Sequence, residues 1–316
     1  MCIKIVMYFS TNQIKKTTAD LYCKDENGKE VDWFIIYTLP KINQRGESSF
    51  ADGLKYAYIS GPTIRGKSGK KEWKFSKKQV GDQDYILANT LLPVYNNIEK
   101  YSSIMYYDGV PRVGGKNILL RSYYPGNINN AYAKDVPVID DESGFFLTHS
   151  IPRFPLSPSH LHYEYPSGAS NNGQIGLCVP LKLNKSEQNF NSLISSATEW
   201  NCWNEAKKRV LKTAIETKII SYKGTTFTAF SKGKKYEADL YSDHFEQTCT
   251  RGAGNKLSSN CKSNGKVENA KALGMKFKKC REQETLQWLS TQDHAKWAFS
   301  DSEKSPFVCI SDIYRM

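Results

Sequence analysis

Residues 132–149 read YAKDVPVIDDESGFFLTH, and residues 294–311 read HAKWAFSDSEKSPFVCIS. The likeness between these two stretches decides how the fold is read. Each opens on x-Ala-Lys. Each then meets an acidic turn, Asp140, Asp141 and Glu142 in the first and Asp301 and Glu303 in the second. Each reaches a phenylalanine thirteen residues after its first position, Phe145 and Phe307, beside a β-rich run. The shared spacing predicts a duplicated strand–turn–strand unit. A chain carrying one such unit in each part places them face to face around one pocket.

Outward from these units, VDWFIIYTL (31–39) is rich in β-formers, follows an Asn-Gly pair and ends at Pro40, which predicts a buried strand. LKYAYIS (54–60) alternates and predicts a second strand. GPTIRGKSGKKEWKFSKK (61–78) reads as an exposed basic loop leading into a strand or sheet edge. DYILANTLLPVY (84–95) reads as a helix stopped by Pro93. WNEAKKRVLKTAIETKI (203–219) also reads as helical, and 226–240 alternates again. Residues 249–265, with two Cys and several Gly and Ser, read as a loop stapled by disulfides. Strands and helices mixed without strict alternation predict α+β layers.

The 316 residues are 39% hydrophobic, enough for a sizeable core, and the 12% aromatic content excludes global disorder. The net charge of +12 favours polyanionic partners. Eight cysteines include no C-x-x-C, and no His stands at zinc-finger spacing from them. They predict a disulfide framework in an oxidising compartment rather than a metal module. The sequon Asn184-Lys185-Ser186 agrees with glycosylation and secretion. The opening MCIKIVMYFS is read as a possible signal remnant over residues 1–19, with cleavage near Thr18–Ala19. No apolar run reaches the length of a transmembrane helix.

The sharpest chemical constellation is His294-x-Lys296 followed by Asp301, with Asp293 and Trp297 as flanks. On a strand, residues i and i+2 share a face, so imidazole and ammonium project together. That pair suits phosphoryl transfer: Lys holds non-bridging oxygens while His attacks phosphorus or moves a proton. GPTIRGKS matches the Walker A pattern formally but lacks the apolar helix that would present its N-terminus to phosphate. Its lysines, Lys67, Lys70, Lys71, Lys74, Lys77 and Lys78, are candidates for DNA-backbone contact. Trp73 and Phe75 could stack on bases, but core packing is the favoured reading for both. Lys276-Phe277-Lys278-Lys279 reads as a solvated basic face. His149 is a pocket residue or a hydrogen-bonded structural histidine, with the structural role favoured. His160, His162 and His244 have no evident partners.

With these motifs in place, the chain resembles the deoxyribonuclease II family of metal-independent acid endonucleases. The resemblance covers nearly the whole chain: Cys23 with NGKEVDWFIIYTLPK, YAY, ANTLLPVY, MYYDGVP, GFFLTHSIPRFP, GQIGLC ending at Cys178, SSNC ending at Cys261, DHAKW and FVCISDIYR. It implies a phospholipase D-like pseudo-two-fold αββα sandwich, an α+β fold with halves at 20–180 and 181–316 around one cleft. It also implies double-stranded DNA as partner, no cofactor and no metal. Two His-x-Lys motifs, one per half, would converge on the scissile phosphate, one His forming a phosphohistidine and the other protonating the leaving oxygen. The second motif carries over to His294 and Lys296. The first falls on Tyr132-Ala133-Lys134: the Lys is kept and the His is Tyr132. A phenol titrates near about 10 and does neither job at acidic or neutral pH, whereas imidazole titrates near about 6.5.

The expectation is a secreted or lysosomal protein that binds DNA phosphates through Lys134, His294 and Lys296, with hydrolysis reduced or lost. The alternatives are a working acid nuclease, with His149 or water standing in for the missing acid or with Tyr132 as nucleophile, and a non-catalytic receptor- or glycan-binding protein. A homodimer or an extracellular protein partner fits either. The favoured disulfide pairs are Cys23–Cys178, Cys280–Cys309 and Cys249–Cys261. The chain ends just after DIYR, where the resemblance leads one to expect a glycine-rich segment and a last Cys. Cys261 is therefore expected to pair elsewhere or stay free.

Overall fold

In a computed structural model of the chain, the residues described are 2–5, 21–42, 52–61, 73–97, 100–103, 134–140, 142–156, 162–182, 214–232, 249–252, 268–269, 272–279, 282–300 and 308–311. In chain order the elements are β1 (Cys2–Ile5), β2 (Trp33–Thr38), β3 (Tyr56–Gly61), β4 (Lys74–Phe75), α1 (Ile86–Asn96), β5 (Ser102–Ser103), β6 (Asp135–Ile139), β7 (Ser143–His149), β8 (Gln174–Lys182), β9 (Ala214–Ile220), β10 (Thr226–Lys232), β11 (Cys249–Gly252), β12 (Glu268–Asn269), β13 (Ala272–Lys279), β14 (Glu282–Leu289), β15 (Lys296–Ser300) and β16 (Val308–Ser311). Strands dominate the described residues, with few helices among them, and the class is α+β.

One seven-stranded sheet runs β4-β3-β2-β8-β7-β6-β5 and a second runs β12-β11-β15-β16-β1-β10-β9, with β13 and β14 as a separate hairpin. Strand β2 explains the layering. Every residue of it is buried. Because side chains alternate between faces, Phe34 and Ile36 enter one core with Leu87, Leu91 and Tyr95 of α1. Trp33, Ile35 and Tyr37 enter the other, with Phe227 and Ala229 of β10 and Ile310 of β16. The first sheet is thus covered on one face by the helix layer and on the other by the second sheet.

The duplicated unit is present as two antiparallel hairpins with one register. Asp135 faces Thr148 in β6–β7, and the His149 N–H donates to the Lys134 carbonyl at 3.0 Å, so Lys134 faces His149. Lys296 faces Ser311 in β15–β16. Asp140 closes the first turn, its Oδ1 accepting the N–H groups of Glu142 at 2.8 Å and Ser143 at 2.6 Å. The Asn-Gly turn before β2 also forms, with Gly28 at φ +72°, a left-handed conformation that favours glycine.

Several expectations are corrected. Helix α1 continues through Pro93 to Asn96. Proline fixes φ at a helical value and removes a single hydrogen bond, and burial of Val94 and Tyr95 holds the last turn in the core. Residues 214–220, expected to extend a helix, form β9. Its β-branched residues alternate, and the segment pairs along its whole length with β10. Cys249–Gly252 is strand rather than loop. Apart from these corrections, residues 2–5 form β1 between β16 and β10.

Cys23 and Cys178 form a disulfide that ties the segment before β2 to β8. Cys309 is also disulfide-bonded. Cys261, Cys280 and Asn184 lie outside the described residues. Among the described residues no helix is long and apolar enough to cross a membrane.

Candidate phosphate-binding site

Lys134 enters β6 and His149 ends β7, so their backbones meet at one end of the first sheet. Both side chains are buried, as is Lys296 at the start of β15. Gly176 of β8 faces His149 across the ladder, where a side chain would crowd Ile36. The imidazole packs edge-on against Phe154 at 5.3 Å.

The charges at this point act together. Burial, then the Lys134 ammonium and, more weakly, that of Lys296 push His149 down to about 3, against a smaller opposing pull from the Ile151 backbone. Neither ring nitrogen has a hydrogen-bond partner of good geometry. His149 is a neutral imidazole within the field of two lysines from opposite parts of the chain.

His294 is half-buried and stands on a segment docked against the first sheet. Its N–H donates to the Gly173 carbonyl at 2.8 Å, and the Gly173 N–H donates to the Gln292 carbonyl at 2.8 Å. Asp293 is fully buried. Its Oδ2 accepts the Tyr37 hydroxyl at 2.6 Å, and its Oδ1 accepts the Ala295 N–H at 2.9 Å. Burial raises Asp293 to about 7, against the lowering effects of Tyr37, the Ala295 N–H and Lys296. Between about pH 3 and 7 the site therefore holds two ammonium groups beside a neutral imidazole and a neutral carboxyl. That distribution suits a phosphate.

The expected basic loop behaves differently. Strand β4 is the edge of the first sheet far from β6 and β7. Lys74 and Lys77 are exposed there. Lys78 instead packs as structure, paired with the Asp84 carboxylate at 2.7 Å and donating to the Asp84 carbonyl at 3.0 Å. Phe75 packs on the inter-sheet core, as expected. Trp73 is 43% exposed, which corrects its expected core placement. His162 faces Glu164 at 3.7 Å in an exposed pair. Tyr132, Asp301, Lys67, Lys70, Lys71, His160 and His244 lie outside the described residues.

Sequence reasoning missed Tyr37 and Gly173. Both sit in segments that read as ordinary strand or loop, and their roles depend on contacts made across the chain.

A sequence profile of the deoxyribonuclease II family matches residues 22–316. The chain belongs to the deoxyribonuclease II family. Deoxyribonuclease-2-beta of Homo sapiens is 28% identical over 94% of this chain and 83% of its own length. Plancitoxin-1 of Acanthaster planci is 29% identical over 95% and 84%. Cell-death-related nuclease 7 of Caenorhabditis elegans is 26% identical over 93% and 79%. In this deoxyribonuclease II family chain, Lys134 and Lys296 both fall within the matched region, 162 residues apart in sequence.

Proposed function

We propose that this deoxyribonuclease II family protein is secreted or lysosomal and grips DNA phosphates between Lys134 of the first half and His294 and Lys296 of the second. The halves are 20–180 and 181–316, arranged as a phospholipase D-like pseudo-two-fold sandwich. Hydrolysis is reduced or lost because Tyr132 stands where the first motif histidine belongs. One observation supports the site above all others: the Lys134 and Lys296 ammonium groups both depress the same buried imidazole, His149. The equal register of the two hairpins supports the two-fold arrangement.

The proposed chemistry divides the work by residue type. Lys134 and Lys296 neutralise the non-bridging oxygens. His294, half-exposed, is the nucleophile or proton carrier. Its counterpart would have to be an imidazole, and a phenol at acidic pH remains protonated. Members of a paired acid–nucleophile system act as a unit, so loss of one costs several orders of magnitude in rate. The reading requires neither a second copy nor a protein partner.

Binding of a labelled duplex at rising salt tests it. The parent chain is expected to bind at low salt with a steep negative dependence of log affinity on log salt. Lys134→Ala and Lys296→Ala are each expected to weaken binding and flatten that slope by about 1. Binding that is absent at low salt, or that both variants leave intact, would favour the glycan- or receptor-binding alternative.

A further inference from the structure

The hydroxyl of Tyr37 lies on strand β2 of the first half, 256 residues from the group it meets. It points at the segment that carries His294. Its partner, Asp293 Oδ2, is buried with it. The second Asp293 oxygen turns back to the Ala295 N–H. Gly173 takes a third side, accepting from both the His294 N–H and the Ala295 N–H, at 2.8 and 3.1 Å. The fit leaves no slack. A Cβ on Gly173 would come within 2.9 Å of Asp293 Oδ1 and 3.0 Å of the Tyr37 hydroxyl. The Trp288 ring packs beside Tyr37 with centroids 5.9 Å apart.

The backbone on either side of His294 is therefore fixed by groups of the opposite half, while the imidazole itself stays half-exposed. We propose that Tyr37 is a positioning residue that, through Asp293, sets the placement of the His294 imidazole against the bound phosphate. This rests on the phosphate-site reading above. It gives Tyr37 a role across the seam: the first half fixes the angle at which the second half presents its histidine. A hydroxyl that merely seals the seam would contribute to stability and leave His294 unchanged. A positioning hydroxyl changes His294 itself, since small misplacements of a reacting group have large effects.

Two readouts on the full chain separate these roles: the titration midpoint of His294, followed by NMR on histidine-labelled protein and assigned with His294→Ala, and the affinity for a 12-base-pair duplex at low salt. Tyr37→Phe removes the hydroxyl. Gly173→Ala presses on the same pair from the other side and keeps every polar group. Each variant is expected to move the His294 midpoint by about 0.5 pH and to weaken duplex binding about tenfold. Variants that melt earlier but keep the parent's midpoint and affinity would overturn the proposal, and either variant suffices should the other fail to fold. A parent that binds no duplex while Tyr37→Phe still moves the midpoint would sink the DNA reading and leave the positioning role standing. A parent that binds normally while neither variant moves either readout would sink the positioning role alone.

Discussion

Burial pushes His149 and Asp293 in opposite directions, because in each case it penalises the charged form. The signs follow from linkage. Asp293 rises from 3.8 to about 7. Its contribution to stability is full below about 4 and is lost as pH rises through about 7. His149 falls from 6.5 to about 3. Its contribution is full above 6.5 and is lost as pH falls through about 3. Between about pH 4 and 6.5 the two slopes oppose each other, each at most about 1.4 kcal/mol per pH unit. Urea midpoints of the parent are expected to change little over that interval. Those of Asp293→Asn are expected to fall on acidification, with the His149 slope unmasked. Equal flatness in parent and variant would contradict the assignment. The same group bears on binding: above about pH 7 an ionised Asp293 offsets Lys296. Duplex affinity should therefore decline between pH 6 and 8 in the parent and decline less in Asp293→Asn, as fluorescence anisotropy would show.

The hairpins were legible from sequence because their cues are local: an x-Ala-Lys start, an acidic turn and a β-rich return, with a spacing that could be counted. Strand β2 was legible for the same reason, as a continuous apolar run. Pro93 misled because its effect depends on whether the following residues have a core to enter, and Val94 and Tyr95 do. Segment 214–220 misled because its partner strand, β10, outweighs helix propensity. The seam between the sheets was not legible at all. Asp32 is buried there and accepts from Ser221 Oγ at 2.8 Å, Thr225 Oγ1 at 2.6 Å and the Lys223 N–H at 2.7 Å. Nothing in the sequence near Asp32 announces donors nearly two hundred residues away. Asp32→Ala strands all three donors and is expected to destabilise the chain by about 2–5 kcal/mol in urea unfolding. A loss below about 1 kcal/mol would show that the seam is held by its apolar contacts instead.

Across the molecule, the +12 charge favours long-range attraction for a polyanion, and in the proposed function the buried lysines at the seam are where one phosphate is held. Of the basic loop's lysines, Lys74, Lys77 and Lys78 stand apart from that place. Exposed Trp73, Lys74 and Lys77 mark a separate edge, and Lys78 serves the local structure. The family was legible because its motifs are contiguous in the chain, and the proposed impairment rests on one substitution within them, Tyr132. Nicking of supercoiled plasmid at about pH 5 in EDTA, with the parent compared with Tyr132→His and His294→Ala, tests that point most directly. The account predicts little or no nicking by the parent, a clear gain in Tyr132→His, and loss of that gain when His294→Ala is added. Efficient nicking by the parent that His294→Ala abolishes would contradict it.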